Sequence, residues 1–322
     1  MEREAVWMNP VDSCIALHAL LALHDVNVVA DFAVAAKPSA VSALAAACRD
    51  QSLPIGARMR SVFYLRTMAT DDAALALAQA LRVKGDSVLL RHEIGFCLGQ
   101  MGRRVVVPDL VAVLEDAADD VIVRHEAGEA LGAIGDASCL PALQRCATDA
   151  PVEVRETCAI ALDRFRLAGD VQGDSEFDTK DPAPAAPVSM TVDALEQLLM
   201  DASASLYDRY RAMFALRNRG DEDAVLALTR GFADASALFR HEVAYVLGQL
   251  AHPASSEALA RVLADTSEHE MVRHEAAESL GAIGDEAALR LLAKFQHGAP
   301  RIVTESCDVA LDAAEYWAEF AG

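Results

Sequence analysis

Four His-Glu dipeptides, each preceded by arginine, give this chain of 322 residues its clearest chemical signal. They are His92-Glu93, His125-Glu126, His241-Glu242 and His274-Glu275. Imidazole nitrogens and carboxylate oxygens are ligands that suit iron, manganese or zinc, without help from thiolates. Eight such ligands exceed what one ion needs but fit two. Because four facing glutamates would repel one another, a pair of dications would also explain how they can lie together.

The four pairs belong to two halves of the chain that are copies of each other. Residues 123–136 match residues 272–285 at twelve of fourteen positions, a shift of 149. Within each half the pairs repeat after 33 residues, from His92 to His125 and from His241 to His274. A period near 30–33 residues is typical of a solenoid of helical hairpins. Neighbouring hairpins place equivalent residues about 10 Å apart, so two facing blocks would bring all four pairs into one space.

The local patterns predict an all-α fold. Amphipathic helices are expected over 72–83, 89–101, 106–115 and 121–134, with nearly no signal for strands. We therefore predict an α-solenoid of about eight helical hairpins, arranged as two symmetric blocks of four. The predicted divisions are an N-terminal addition at 1–38, a first block at 39–167, a linker at 168–190 and a second block at 191–322.

The linker is rich in acidic residues and contains Pro182, Pro184 and Pro187. With few apolar residues to bury, it is predicted to be a flexible, extended connector. Its length would let the two blocks face each other.

Small residues accompany each His-Glu pair on the same helix face. Three positions after the histidines stand Gly95, Gly128, Ala244 and Ala277, and seven positions after them stand Gly99, Gly132, Gly248 and Gly281. Such a stripe either leaves open volume beside the histidine or serves close helix packing. At the third unit of each half, Arg155-Glu156 and Thr304-Glu305 lack the histidine. A His-Glu pair with a purely structural role would have no reason to be kept at two units of each half and lost at the third.

The composition excludes several classes of protein. Lys plus Arg is 28 and Asp plus Glu is 49, a formal charge of −21, which argues against binding a nucleic-acid backbone. Charged residues interrupt the apolar stretches, so no membrane span is expected. Neither is a secretory or transit signal. Seven cysteines without a C-x-x-C pair are typical of reduced, buried thiols and predict a cytosolic compartment.

Together, the four Arg-His-Glu units and the LGQ and LGAIG segments after them resemble deoxyhypusine hydroxylase over about residues 40–316. Members of that family are HEAT-repeat monooxygenases with a di-iron centre. They hydroxylate the deoxyhypusine side chain of translation initiation factor 5A to hypusine. The resemblance implies that all eight His and Glu residues form a site for two iron ions. It also implies O2 as co-substrate and an external reductant. The implied location is the cytoplasm, without excluding the nucleus.

The resemblance further suggests a division of roles. His92, His125 and Glu126 would hold one iron, and the other would be held by His241, His274 and Glu275. Glu93 and Glu242 would lie nearer the substrate and grip its cationic amines. Two more glutamates, Glu129 and Glu278, follow the second histidine of each half by four positions. These would either orient the imidazoles or form ordinary ion pairs.

Two alternatives to the hydroxylase remain open at this stage. A non-catalytic HEAT-repeat scaffold would have no reason to keep Arg-His-Glu at four symmetric positions and nowhere else. A hydrolase with two zinc or manganese ions has a compatible ligand set, and only iron content and O2-dependent turnover would exclude it. The arginines of the motif are expected to brace helix starts against acidic groups.

Overall fold

The computed structural model describes residues 38–167, 177 and 179–320, and within them it contains sixteen α-helices and no strand. The N-terminal block consists of α1 (Pro38–Arg49), α2 (Ile55–Met68), α3 (Asp71–Leu81), α4 (Val88–Met101), α5 (Val107–Leu114), α6 (Val121–Ile134), α7 (Leu140–Cys146) and α8 (Val152–Arg166). The C-terminal block consists of α9 (Val192–Met200), α10 (Leu206–Arg219), α11 (Glu222–Arg230), α12 (Ala237–Leu250), α13 (Ser256–Ala264), α14 (Glu270–Ile283), α15 (Glu286–Phe295) and α16 (Arg301–Phe320). The predicted N-terminal addition lies outside the described residues, except that Pro38 begins α1.

Consecutive helices pack in pairs, which confirms the prediction of an all-α solenoid of eight hairpins. The second helices of successive hairpins also pack side by side, as α4 does on α6 and α14 on α16. Their boundaries follow from caps in the sequence. Ser87 begins α4 by accepting a hydrogen bond from the Leu90 amide, and Gly102 ends the helix at a φ of 65°. No helix in the described part of the chain is long and apolar enough to cross a membrane.

Three of the four motif arginines bond to an acidic side chain of the next hairpin, as predicted: Arg91, Arg124 and Arg240. Nε of Arg91 donates to the carbonyl of Leu81, 2.7 Å away at the end of α3. Its terminal nitrogens donate to both carboxylate oxygens of Asp119, at 2.7 and 2.6 Å. The same bond to a carbonyl ten residues earlier is made by Arg58, Arg124, Arg209 and Arg273. These contacts fix the stacking of hairpins and therefore the spacing of the histidines that follow.

The two blocks close on each other through their last helices. Helix α16 packs on α2 and α4, and α8 packs on α10 and α12. At one seam the Ser87 hydroxyl donates to Glu305 at 2.5 Å, and at the other the Ser236 hydroxyl donates to Glu156 at 2.6 Å. These contacts are equivalent under the 149-residue shift. The glutamates of the two units that lack a histidine thus join the blocks.

The prediction that the linker has little to bury is wrong for its described part. Six of its residues are buried, namely Phe177, Thr179, Asp181, Ala183, Pro184 and Ala186. Arg217 of α10 donates to both carboxylate oxygens of Asp181, at 2.8 and 2.6 Å, and stacks on the Phe177 ring. The Lys180 amide donates to the Gln100 side chain of α4 at 2.9 Å. Because these partners lie on helices outside the linker, no periodic pattern within the linker predicts the contacts.

Candidate metal centre

The four motif histidines meet in the middle of the molecule, on α4, α6, α12 and α14. All are buried, with at most 5% of any residue exposed. The His92 ring centroid lies 5.5 Å from that of His125, 5.6 Å from that of His241 and 5.0 Å from that of His274. The structure therefore brings together the four side chains, across both blocks, that the sequence places up to 182 residues apart (274 − 92).

One candidate metal group lies mainly in the N-terminal block. Nε2 of His92 is 3.2 Å from Oε2 of Glu126, and Nε2 of His125 is 4.0 Å from the same oxygen. These three residues can each place a ligand atom within 4.8 Å of the other two. They are the three residues that the family resemblance suggests for the first ion.

The second candidate group joins the two blocks. His92, His241 and His274 can also place ligand atoms within 4.8 Å of one another. Oε2 of Glu275 is 3.5 Å from Nε2 of His241 and 4.0 Å from Nδ1 of His274. His92 therefore belongs to both groups, which the sequence did not indicate.

The ring nitrogens have the environment expected of metal ligands. Both nitrogens of His125, His241 and His274, and Nε2 of His92, are buried without a hydrogen-bond partner among the described residues. Such unsatisfied polar atoms are costly unless a ligand binds them. Donor atoms that share a first-row metal ion at about 2.1 Å lie about 3.0–3.5 Å apart, as the closest His-Glu pairs here do. The residues present thus fit two metal ions.

The electrostatics also favour cations. Burial lowers the pKa of His125, His241 and His274 well below the usual value, so these rings are neutral and able to bind metal. At His92 burial acts in the same direction, but Glu126 and Glu93 outweigh it and raise the pKa. Burial raises the pKa of Glu275, and neighbouring carboxylates add to this effect.

A cavity opens from this centre towards an aromatic pair. It is lined by His92, Glu93, Phe96, Glu126, Glu129, His241, Glu242, Tyr245 and Glu275. Phe96 and Tyr245 occupy equivalent positions of the two blocks, and their rings meet edge to face at 5.8 Å. Oε1 of Glu93 is 3.2 Å from Nδ1 of His92, whereas Oε1 of Glu242 has no hydrogen-bond partner in the described structure. Both glutamates border open space beside the metal groups.

The two residues predicted to orient imidazoles behave differently. Oε1 of Glu278 lies 3.7 Å from Nδ1 of His274, which is an ionic contact beyond hydrogen-bond distance, and it accepts a hydrogen bond from the Ser306 hydroxyl at 2.9 Å. Glu129 instead lines the cavity beside Glu242. Sequence analysis missed this difference, although the replacement of Ser306 by Thr157 at the equivalent position was visible in the sequence.

The stripe of small residues serves close packing rather than open volume. A Cβ atom at Gly99 would lie 2.9 Å from Cα of Ala130, and one at Gly281 would lie 2.6 Å from Cβ of Ala310. Gly95 makes room for the Glu126 side chain, since a Cβ at Gly95 would lie 2.8 Å from Cγ of Glu126. The sequence contains one further His-Glu pair, His269-Glu270, which lies outside the centre. His269 caps the start of α14, and its side chain is 38% exposed.

Known proteins resemble this chain in sequence and in structure. The HEAT repeat family model matches residues 75–163, 192–270 and 231–311. Deoxyhypusine hydroxylase of Drosophila melanogaster is 44% identical over 279 residues, which cover 86% of this chain and 92% of that protein. The Homo sapiens protein of the same name is 46% identical over 279 residues, covering 86% and 91%. The solved structure of human deoxyhypusine hydroxylase in complex with glycerol superposes with a TM-score of 0.83 at 46% identity, covering 86% of this chain and 96% of that one.

Proposed function

Because the chain belongs to the deoxyhypusine hydroxylase family, we propose that it hydroxylates the deoxyhypusine side chain of translation initiation factor 5A. The reaction would take place at two iron ions held between the blocks. The observation that carries this proposal is the convergence of four buried imidazoles, with four glutamates beside them, in a family of monooxygenases.

Each block would supply most of the ligands of one ion. His92, His125 and Glu126 would hold the first, and the second would be held by His241, His274 and Glu275. When bound, iron supplies the oxygen-activating redox chemistry that side chains lack and that an unactivated C–H bond requires. One oxygen atom of O2 enters the C–H bond, and the other leaves as water with two electrons and two protons from an external reductant.

The chain itself would bind and orient the substrate. Deoxyhypusine is a lysine side chain extended by an aminobutyl arm, and it carries two amines that are cationic at neutral pH. Glu93 and Glu242 border the cavity and offer carboxylates to those amines. The formal charge of −21 would also steer a cationic partner towards the protein in a salt-dependent way.

The alternatives are less consistent with the site. A binding scaffold has no use for seven buried imidazole nitrogens that lack hydrogen-bond partners. A dinuclear zinc or manganese hydrolase would use the same ligand types. Its reaction would need no O2, so the two classes of enzyme differ in one measurable requirement.

A combined experiment tests the proposal. The purified protein is loaded with iron, and the iron per chain is measured. It is then incubated with a deoxyhypusine-bearing factor 5A domain and a reductant, under air and under argon. We expect two irons per chain and hydroxylated product under air alone. Sub-stoichiometric iron without product would overturn the proposal, and metal-dependent hydrolysis under argon would favour the hydrolase.

A further inference from the structure

Glu129 and Glu278 occupy equivalent positions of the two blocks but have different surroundings. Glu278 is 2% exposed and is held by the Ser306 hydroxyl at 2.9 Å, with its Oε1 3.7 Å from Nδ1 of His274. Its carboxylate is therefore held beside an imidazole by a hydroxyl of its own block. That placement leaves it little capacity to bind a substrate.

No hydroxyl of the described residues holds Glu129 in this way, and its carboxylate interacts electrostatically with Arg164. Thr157 stands where Ser306 stands in the other block, and its buried hydroxyl has no hydrogen-bond partner in the described structure. Glu129 lines the central cavity and also a second, smaller cavity, which is bounded by Thr157, Arg164, Pro182 and Leu238, among others. It therefore lies where the centre opens towards α8 and the linker.

The C-terminal block has different residues at the positions equivalent to those around this second cavity. The C-terminal block has a buried Ala313 at the position that corresponds to Arg164. Asp181 of the linker is fixed by Arg217, and Pro182 follows it against the Glu129 side. The linker thus makes the two sides of a nearly symmetric site unequal.

The carboxylates that line the central cavity indicate that its ligand is a cation. Five carboxylates line it: Glu93, Glu126, Glu129, Glu242 and Glu275. Glu126 and Glu275 lie beside imidazoles, as metal ligands would. Of the remaining three, Glu242 has a buried carboxylate oxygen, Oε1, without a hydrogen-bond partner. A cationic group between Glu129 and Glu242 would satisfy this oxygen and relieve the repulsion between the two carboxylates.

We propose that Glu129, together with Glu242, binds an ammonium group of the substrate and fixes its side chain on the α8 and linker side of the centre. This inference rests on the proposed function and deepens it. A site with two-fold related ligands would otherwise accept the side chain in two orientations. Glu129 would select one of them, and so determine which carbon faces the metal ions.

The matched variants Glu129→Gln and Glu278→Gln test this role. Each removes one charge at an equivalent position with almost no change in shape. Binding of the deoxyhypusine-bearing factor 5A domain to the iron-loaded protein is measured under argon, where no turnover occurs. We expect Glu129→Gln to raise Kd and KM at least tenfold, the effect of losing one hydrogen bond to a charged group. Its two irons per chain should be retained, and its kcat should fall, because part of the bound substrate would lie in the other orientation.

Glu278→Gln should show the opposite pattern. Kd should stay within twofold of the wild type, while a chelator should remove iron faster because His274 has lost its support. A Glu129→Asp variant, which keeps the charge, should recover part of the lost affinity and guards against misfolding of the glutamine variant. Glu129→Gln should also flatten the dependence of log Kd on log salt.

The outcomes separate the two proposals. A wild-type protein that forms no hydroxylated product would contradict the proposed function. If the wild type is active but Glu129→Gln binds the substrate within twofold of it, the role of Glu129 is wrong. Equal effects of Glu129→Gln and Glu278→Gln on Kd, or loss of iron from Glu129→Gln, would overturn it as well.

Discussion

The two blocks present the same motif residues to the centre but support them with different neighbours. Gly95 leaves room for Glu126 in the N-terminal block, whereas Ala244 stands at the equivalent position beside Glu275. Glu129 faces a cavity, whereas Glu278 accepts a hydrogen bond from Ser306 and lies beside His274. A duplicated half supplies two similar sets of candidate metal ligands, whereas the proposed substrate has two different ends. The differences between the blocks therefore lie in the residues that surround the ligands, where an asymmetric side chain must be held.

The linker shows the same contrast on a larger scale. Arg217 binds Asp181 and Gln249, and its guanidinium stacks on Phe177. The equivalent arginine of the N-terminal block, Arg66, lies over the Phe96 ring at 5.8 Å. The same residue type thus holds the linker in one block and an aromatic wall of the cavity in the other.

The largest expected effect is on the free energy of unfolding, when each of these two arginines is removed in turn. Arg217→Ala would leave the Asp181 carboxylate buried without its partner, and we expect it to lower the free energy of unfolding by about 3–5 kcal/mol. Arg66→Ala would remove a half-exposed contact with a ring and should cost about 1 kcal/mol. Urea unfolding followed by circular dichroism measures both. Equal losses would show that the linker does not stabilise the closed arrangement of the blocks.

The next effect concerns the first glutamate of each block. Glu93→Gln and Glu242→Gln should each weaken binding of the deoxyhypusine-bearing domain about 100-fold, because each leaves a substrate cation without a buried carboxylate. Both variants should keep two irons per chain. Titration calorimetry under argon and metal analysis give the two values. If Glu93→Gln lost iron but kept substrate binding, Glu93 would be a metal ligand instead.

A smaller effect is expected at the seams between the blocks. Ser87→Ala and Ser236→Ala each remove a helix cap and a hydrogen bond to a carboxylate of the other block. We expect a loss of about 2 kcal/mol in each case, the sum of these two contributions. Ser205→Ala is the control, since Ser205 caps α10 but bonds only within its own helix start, and should cost about 1 kcal/mol. Thermal unfolding that ranks all three variants equally would argue against the seam contacts.

The smallest expected effect is a pH dependence. Burial opposes the charge on Asp119, but hydrogen bonds from Arg91 and the Asp120 amide outweigh burial and lower its pKa. The folded pKa lies below the unfolded one, so this stabilisation is present above about pH 4 and is lost as the pH falls through the folded value. Asp119→Asn should therefore cost about 1 kcal/mol at pH 7. The difference from wild type should be smaller at pH 2 than at pH 7.

Urea unfolding at both pH values checks this expectation. A difference between Asp119→Asn and wild type that is constant from pH 7 to pH 2 would contradict it. Glu268→Gln at the equivalent position, where Arg240 binds Glu268, shows whether the C-terminal block depends as strongly on this contact.

The repeat made much of this molecule predictable. A motif that recurs after 33 residues on helices places its side chains on one face of a solenoid, so the hairpins and the eight site residues followed from spacing and resemblance. The seam between Ser87 and Glu305 joins residues 218 positions apart, and Arg217 and Asp181 are 36 apart. No local pattern encodes such contacts. The different surroundings of Glu129 and Glu278 depend on a hydroxyl 28 positions further along the chain, and spacing alone does not show whether that hydroxyl reaches the carboxylate.

The central claim is that each block holds one of two metal ions, and iron analysis of one-block variants tests it most directly. His125→Ala and His274→Ala are suited to this, because His92 belongs to both metal groups. After anaerobic loading, we predict two irons per chain in the wild type, one in each single variant and none in the double variant. Two irons retained by either single variant, or both irons lost from one of them alone, would contradict the account.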